Sequence, residues 1–163
     1  MDETRFWALI EEAWTAVGSR AKPRVKLAEG KLSEAKADAL LDALEEVVPA
    51  LHALLDQLSG DKLLAFDRIL ERKLYDIDRA EVQKYTDGSD DGFLYARGFV
   101  VAAGQKYYDA VNATPSVAMM DLECEDFCHM AYHMHEAKFG KVSPTEISRE
   151  SGSNKAGWAE VPQ

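Results

Sequence analysis

Tyr85 to Val111 reads YTDGSDDGFLYARGFVVAAGQKYYDAV. A start signal, an apolar stripe and one awkward charge coincide in it. Asp87-Gly88 is a chain breaker and Ser89 is a good N-cap. Asp90 and Asp91 place negative charge in the first turn, where it complements the positive end of the helix dipole. The pattern therefore predicts a helix beginning at about Ser89. At about 100° per residue, Phe93, Val100, Gly104, Tyr107 and Val111 share one face, with Ala96 and Tyr108 on its flanks, so that face is expected to point into a core. Arg97 lies in the middle of the same stripe. If it is internal, its guanidinium must meet a carboxylate or several carbonyls; Asp90 is the candidate nearest in angle, and Asp76, Asp78 or Asp87 from the preceding segment are the others, while Asp91 points the other way. Gly104 on that face costs up to ~1 kcal/mol relative to alanine and is expected to mark the close approach of another helix.

Working outward, the helical period continues on both sides. Asp2 can cap a first helix carrying Trp7, Ile10, Trp14 and Val17 on one face, ended by Gly18. Ser19 to Gly30 contains Pro23 and reads as a loop with a small positive patch. A second helix starts near Ser33, where Leu40, Leu44, Val47, Leu51, Leu54 and Leu58 alternate steps of four and three, widened by Leu41, Val48 and Leu55. Pro49 interrupts this seam without shifting its phase, which predicts one kinked element instead of two. Leu63, Phe66, Leu70, Leu74 and Ile77 give a third stripe. After a turn at Asn112 to Ser116, the last helix spans about Leu122 to Phe139 and is stopped by Gly140. Lys141 to Gln163 is rich in Ser, Gly and Pro and has no period. No alternating strand pattern occurs. The expectation is an all-α fold, a single compact multi-helix domain over residues 1–140 with about five main helices, followed by an irregular tail over 141–163 docked through Trp158.

At 163 residues the chain is long enough to bury roughly 70% of its unfolded surface without metal or disulfide support. A formal net charge of −10 argues against nucleic acid or an anionic membrane as a partner and leaves a basic protein open. The two cysteines, Cys124 and Cys128, stand four apart on a predicted helix, a poor geometry for a mutual disulfide, and read as reduced thiols. The acidic start MDETRFWALIEE lacks the basic flank of a signal peptide, and no 18-residue apolar run occurs, so the cytoplasm is the expected compartment.

The segment richest in ligand chemistry is CEDFCHMAYHMHE, Cys124 to Glu136. Helical geometry splits it, with Cys124, Cys128 and His135 on the core face and His129 and His133 on the opposite one. His129 and His133 are spaced to clamp a transition metal. No second Cys/His pair at finger spacing exists, however, and HMAYH lacks the glutamate after its first histidine that a zincin needs. No metal and no cofactor is therefore assigned. Cys128 and His135 lie two helical turns apart, too far for a nucleophile and its base, and carboxylate spacing selects no acid/base pair. Met119-Met120 and Tyr107-Tyr108 read as core, with a ligand groove as the other reading.

SDDGF (Ser89 to Phe93), followed by Arg97, Gly104 and Pro115 in ATPSVA, resembles the central signature of the uncharacterised bacterial family known as domain of unknown function 4240. Phe6-Trp7-Ala8-Leu9-Ile10 is similar to that family's N-terminal FWxLI, and Ala156-Gly157-Trp158-Ala159-Glu160 to its Gly-x-x-Trp-x-Glu tail. The chain departs from the family at Ala96, where an aromatic is usual, and over Asp78 to Tyr85, where tryptophans are usual. The resemblance implies a fold and no reaction. The expected function is a non-catalytic protein-binding domain, either a regulatory adaptor or a neutraliser of a basic partner. The alternative is an enzyme or small-ligand-binding protein using the polar neighbourhood of Ser89, Asp90, Asp91 and Arg97.

Overall fold

The computed structural model describes residues 1–86 and 89–159, so the Asp87-Gly88 breaker lies outside the described residues. Among the described residues eight α-helices follow one another: α1 (Glu3–Trp14), α2 (Arg24–Ala28), α3 (Glu34–Asp56), α4 (Gly60–Asp76), α5 (Ala80–Gln83), α6 (Asp90–Ala102), α7 (Gln105–Ala113) and α8 (Glu125–Phe139). Short 3-10 turns lie at Thr15–Ala21, Pro115–Val117 and Lys155–Trp158, and no strand occurs among the described residues. The all-helical expectation holds, while the expectation of about five main helices is corrected to eight. Two causes account for the main additions. Pro23 precedes a short helix, α2, inside the stretch expected to be a loop. Gly104 adopts φ 104°, a backbone state that breaks the long central helix into α6 and α7.

At the centre lies α6, with ten of its thirteen residues buried, as expected for a helix that is apolar nearly all round. Its start is the one the sequence signals: Ser89 Oγ accepts from the backbone N–H of Gly92 at 3.1 Å, and Asp90 and Asp91 occupy the first turn. Its C-terminal carbonyls are satisfied from elsewhere in the chain. Trp14 Nε1 donates to Ala102 O at 2.7 Å, and Arg24 donates to Ala103 O at 3.0 Å.

Gly104 is approached closely, but by side chains. A Cβ there would stand 2.4 Å from Glu11 Oε1 and 2.9 Å from an Arg24 nitrogen, the pair that packs across the α6–α7 corner. The glycine that admits a helix is Gly98. A Cβ on it would stand 2.5 Å from Cys128 Sγ and 2.7 Å from the backbone oxygen of Cys124, which is how α6 crosses α8 so tightly.

The remaining helices wrap this centre. α1 packs on α3, α4 packs on both α6 and α8, and α2 covers α7. Pro49 sits inside one continuous α3, with Leu40, Leu44, Val47 and Leu51 of the expected seam buried on both sides of it; beyond Leu51 the buried position is Leu55, and Leu54 and Leu58 are half-buried. Single large residues such as Phe6, Phe66, Phe93 and Phe99, fully buried, each contribute roughly 1.5–3 kcal/mol of apolar transfer. The positive patch of the N-terminal segment is taken up internally: Arg20 pairs with Glu46, Arg24 with Glu11 and Lys26 with Glu29. No helix among the described residues is long and apolar enough to cross a membrane.

Candidate functional site

Arg97 is fully buried, as its place in the apolar stripe requires, and carbonyls take its charge. Its Nη1 donates to Leu74 O at 2.8 Å, while Nη2 donates to Arg149 O at 2.9 Å and to Ser151 Oγ at 3.1 Å. The guanidinium also lies over the Phe93 ring at 4.7 Å. Burial pulls its pKa below the usual arginine value, and the nearby Asp78 carboxylate opposes that shift. Two of the three acceptors belong to the C-terminal segment, so Arg97 fastens the tail to the helical body.

Asp78 does the complementary work with donors from the same segment. Fully buried, it accepts the backbone N–H groups of Gly152 at 3.0 Å and Asn154 at 2.8 Å, the Ser153 hydroxyl at 3.2 Å and the Trp158 indole N–H at 2.9 Å. The Trp158 ring meets Phe93 edge-on at 5.8 Å. A third tie is Arg149, whose Nη2 forks onto both oxygens of Asp67 at 3.1 Å and whose Nη1 donates to Cys128 O at 2.6 Å. Burial raises the Asp67 pKa against the opposing pull of Arg149. Sequence patterns carried no signal for Arg149 or Asp67. Arg149 sits in a segment with no period, and its partner lies 82 positions away.

The sequence-derived site residues are separated by this arrangement. Ser89, Asp90 and Asp91 are exposed at the start of α6, whereas Arg97 is enclosed two turns on. Asp90 takes part through its backbone, its carbonyl accepting from Ser151 Oγ at 2.6 Å, and that hydroxyl links it to Arg97. Among the described residues Arg97 forms hydrogen bonds to oxygens of Leu74, Arg149 and Ser151, while Asp87 lies outside those residues.

A different surface has the form of a binding site. One side of α3 presents Glu34, Asp38, Leu41, Glu45, Val48 and His52, at alternating steps of four and three, so they stand in a single row. Facing them runs the chain from Met119 to Asp126 and then Met130 and Met134 of α8. Between the two walls lie three adjoining depressions of about 440, 540 and 480 Å³, the last two sharing Val48, Pro49 and Asp126.

The groove has an apolar floor and an acidic rim. Seven carboxylates line it: Glu34, Asp38 and Glu45 from α3, and Asp121, Glu123, Glu125 and Asp126 opposite. Among the described residues no lysine or arginine does. Glu34, Asp38, Glu45, Asp121 and Asp126 are exposed and make no ion pair among the described residues. Met120 stands 54% exposed on the same wall. Pro49, in mid-groove, lacks the N–H that the Glu45 carbonyl would accept in an unbroken helix, which leaves a backbone acceptor there without its intrahelical donor.

Residues 39–138 match the family described as protein of unknown function (DUF4240). The chain belongs to that family. No curated protein and no solved structure matches it. The DUF4240 span runs from early α3 almost to the end of α8, so it holds both walls of the groove except Glu34, Ala37 and Asp38. The Phe6 to Ile10 and Ala156 to Glu160 segments lie outside it, as do Arg149 and the tail.

The histidines and thiols of α8 are placed as the helical period predicts. Cys124 and Cys128 are buried and free, and burial pushes both thiols up to about 12, so thiolate is scarce at neutral pH. His129 is partly exposed, with its pKa lowered by burial and by Arg149, and its ring centroid lies 5.9 Å from that of His133. Among the described residues no group of three or more His, Cys, Asp or Glu side chains is placed to hold a metal ion.

Proposed function

We propose that this DUF4240 chain is a non-catalytic, cytoplasmic protein-binding domain that engages a basic partner through the groove between α3 and the 119–134 wall. The observation that carries this reading is the five exposed carboxylates Glu34, Asp38, Glu45, Asp121 and Asp126, without an ion pair among the described residues, on a methionine-rich apolar floor that no lysine or arginine of those residues lines. Like charges held close together cost stability unless something offsets them, and a cationic partner offsets them while gaining a steered encounter. An apolar floor supplies the contact area that charge alone does not. Elsewhere arginines pair within the fold, Arg24 with Glu11, Arg20 with Glu46 and Arg149 with Asp67, so these cations do not neutralise the groove face.

Amide NMR mapping during titration with a 14-residue leucine/lysine peptide tests the reading. Shifts are expected to cluster at residues 34–52 and 119–134. Shifts centred on Ser89 to Arg97, or none at all, would overturn it and favour the small-ligand alternative.

A further inference from the structure

We infer that the groove's occupant is an amphipathic α-helix of the partner protein, lying along α3 with its apolar stripe on the groove floor and its lysines and arginines against the two acidic rims. This rests on the protein-binding reading above and adds the partner's conformation. Shape is the first ground. From residue 34 to residue 52 the row on α3 runs about 27 Å at 1.5 Å per residue, a track of about five turns on one continuous helix. A helix laid beside another packs at roughly 8–10 Å between axes, and its side-chain ridges match a row spaced four and three.

Hydrogen bonding is the second ground. A β-strand peptide draws its main-chain hydrogen bonds from an open sheet edge, and the described residues contain no strand. Beyond the first turn, and apart from the acceptor freed at Pro49, the backbone of the α3 wall is closed within its own helix. A helical occupant satisfies its own backbone and asks the groove only for apolar contact and charge.

The floor is the third ground. Four of the five methionines in the chain, Met119, Met120, Met130 and Met134, line this groove. Unbranched thioether side chains repack around apolar anchors of differing shape, the usual chemistry of a groove that receives helices. The carboxylates stand on both walls of that floor, Asp38 and Glu45 on one and Asp121 and Asp126 on the other, so cations are accepted on both flanks of a seated helix.

Two 14-residue peptides of identical leucine/lysine composition test the inference, one patterned with helical period and one strictly alternating. Binding is measured by calorimetry to the full chain, to Asp38→Lys/Glu45→Lys, and to Glu81→Lys/Asp109→Lys, which has the same net charge but is altered at exposed positions away from the groove. The helical isomer should bind at least tenfold more tightly than the alternating one. That preference should fall at least tenfold in Asp38→Lys/Glu45→Lys and stay within twofold in Glu81→Lys/Asp109→Lys. Equal binding of the two isomers, with the groove variant still weakened, would overturn the helix inference and leave the protein-binding reading standing. Equal weakening by both variants, or no binding by either isomer, would overturn both.

Discussion

Arg97 shows what a buried cation demands of the chain around it. Three oxygens from Leu74, Arg149 and Ser151 hold it, and the Phe93 face supports it, so its removal leaves two buried carbonyls without donors and a cavity under the tail. Arg97→Ala is therefore expected to lower the unfolding free energy by about 3 kcal/mol, read from the urea midpoint. An unchanged midpoint would contradict the structural assignment and return attention to the start of α6. The position of Arg97 was legible from periodicity alone, because burial on α6 follows from its spacing to Phe93 and Val100. Its acceptors were not, because two of them lie 52 and 54 positions away in a segment without a repeating pattern. Gly98 and Gly104 divide in the same manner. A glycine on an apolar face signals close approach, but only the backbone shows that Gly104 has positive φ and ends a helix while Gly98 is the crossing point.

At the scale of elements, the helices of the core were readable and the C-terminal segment was not. Apolar stripes on α1, α3, α4 and α8 repeat every three to four residues because each buries one face. The segment from Val142 onward buries little apolar surface of its own. It is held by side chains of the helical body that accept its N–H groups and donate to its carbonyls, an order that leaves no periodic trace. Asp78 is the centre of that hold, with two tail N–H groups, one hydroxyl and one indole on its carboxylate. Asp78→Ala is expected to free the tail while the helices persist. Trypsin should then cut rapidly after Arg149, which is buried in the intact chain, and Trp158 emission should move to longer wavelength, with far-UV circular dichroism nearly unchanged. Continued protection of the Arg149 bond would show that the tail is held by something other than Asp78.

Over the whole molecule, charge is divided between two uses. Cations and their partners hold the fold together inside and around the N-terminal segment, and Glu34, Asp38, Glu45, Asp121 and Asp126 along the groove make no ion pair among the described residues. The widened stripe on α3 announced part of that groove, since Leu41 and Val48 extend beyond the buried seam. The wall opposite comes from residues roughly 80 positions later, which no local pattern connects to it. Residues that serve a partner commonly cost the free fold some stability, whereas residues that serve the fold do not. If the acidity of this face serves binding, the claim can be checked by urea denaturation of Asp38→Lys/Glu45→Lys. Both sites are exposed, lysine is as good a helix former as glutamate, and the substitution at 38 lies one turn from Glu34 and Asp42. The expected result is a midpoint equal to or above that of the unaltered chain. A loss of about 2 kcal/mol or more would contradict the claim, because it would mean that these carboxylates hold the fold and are not kept for a partner.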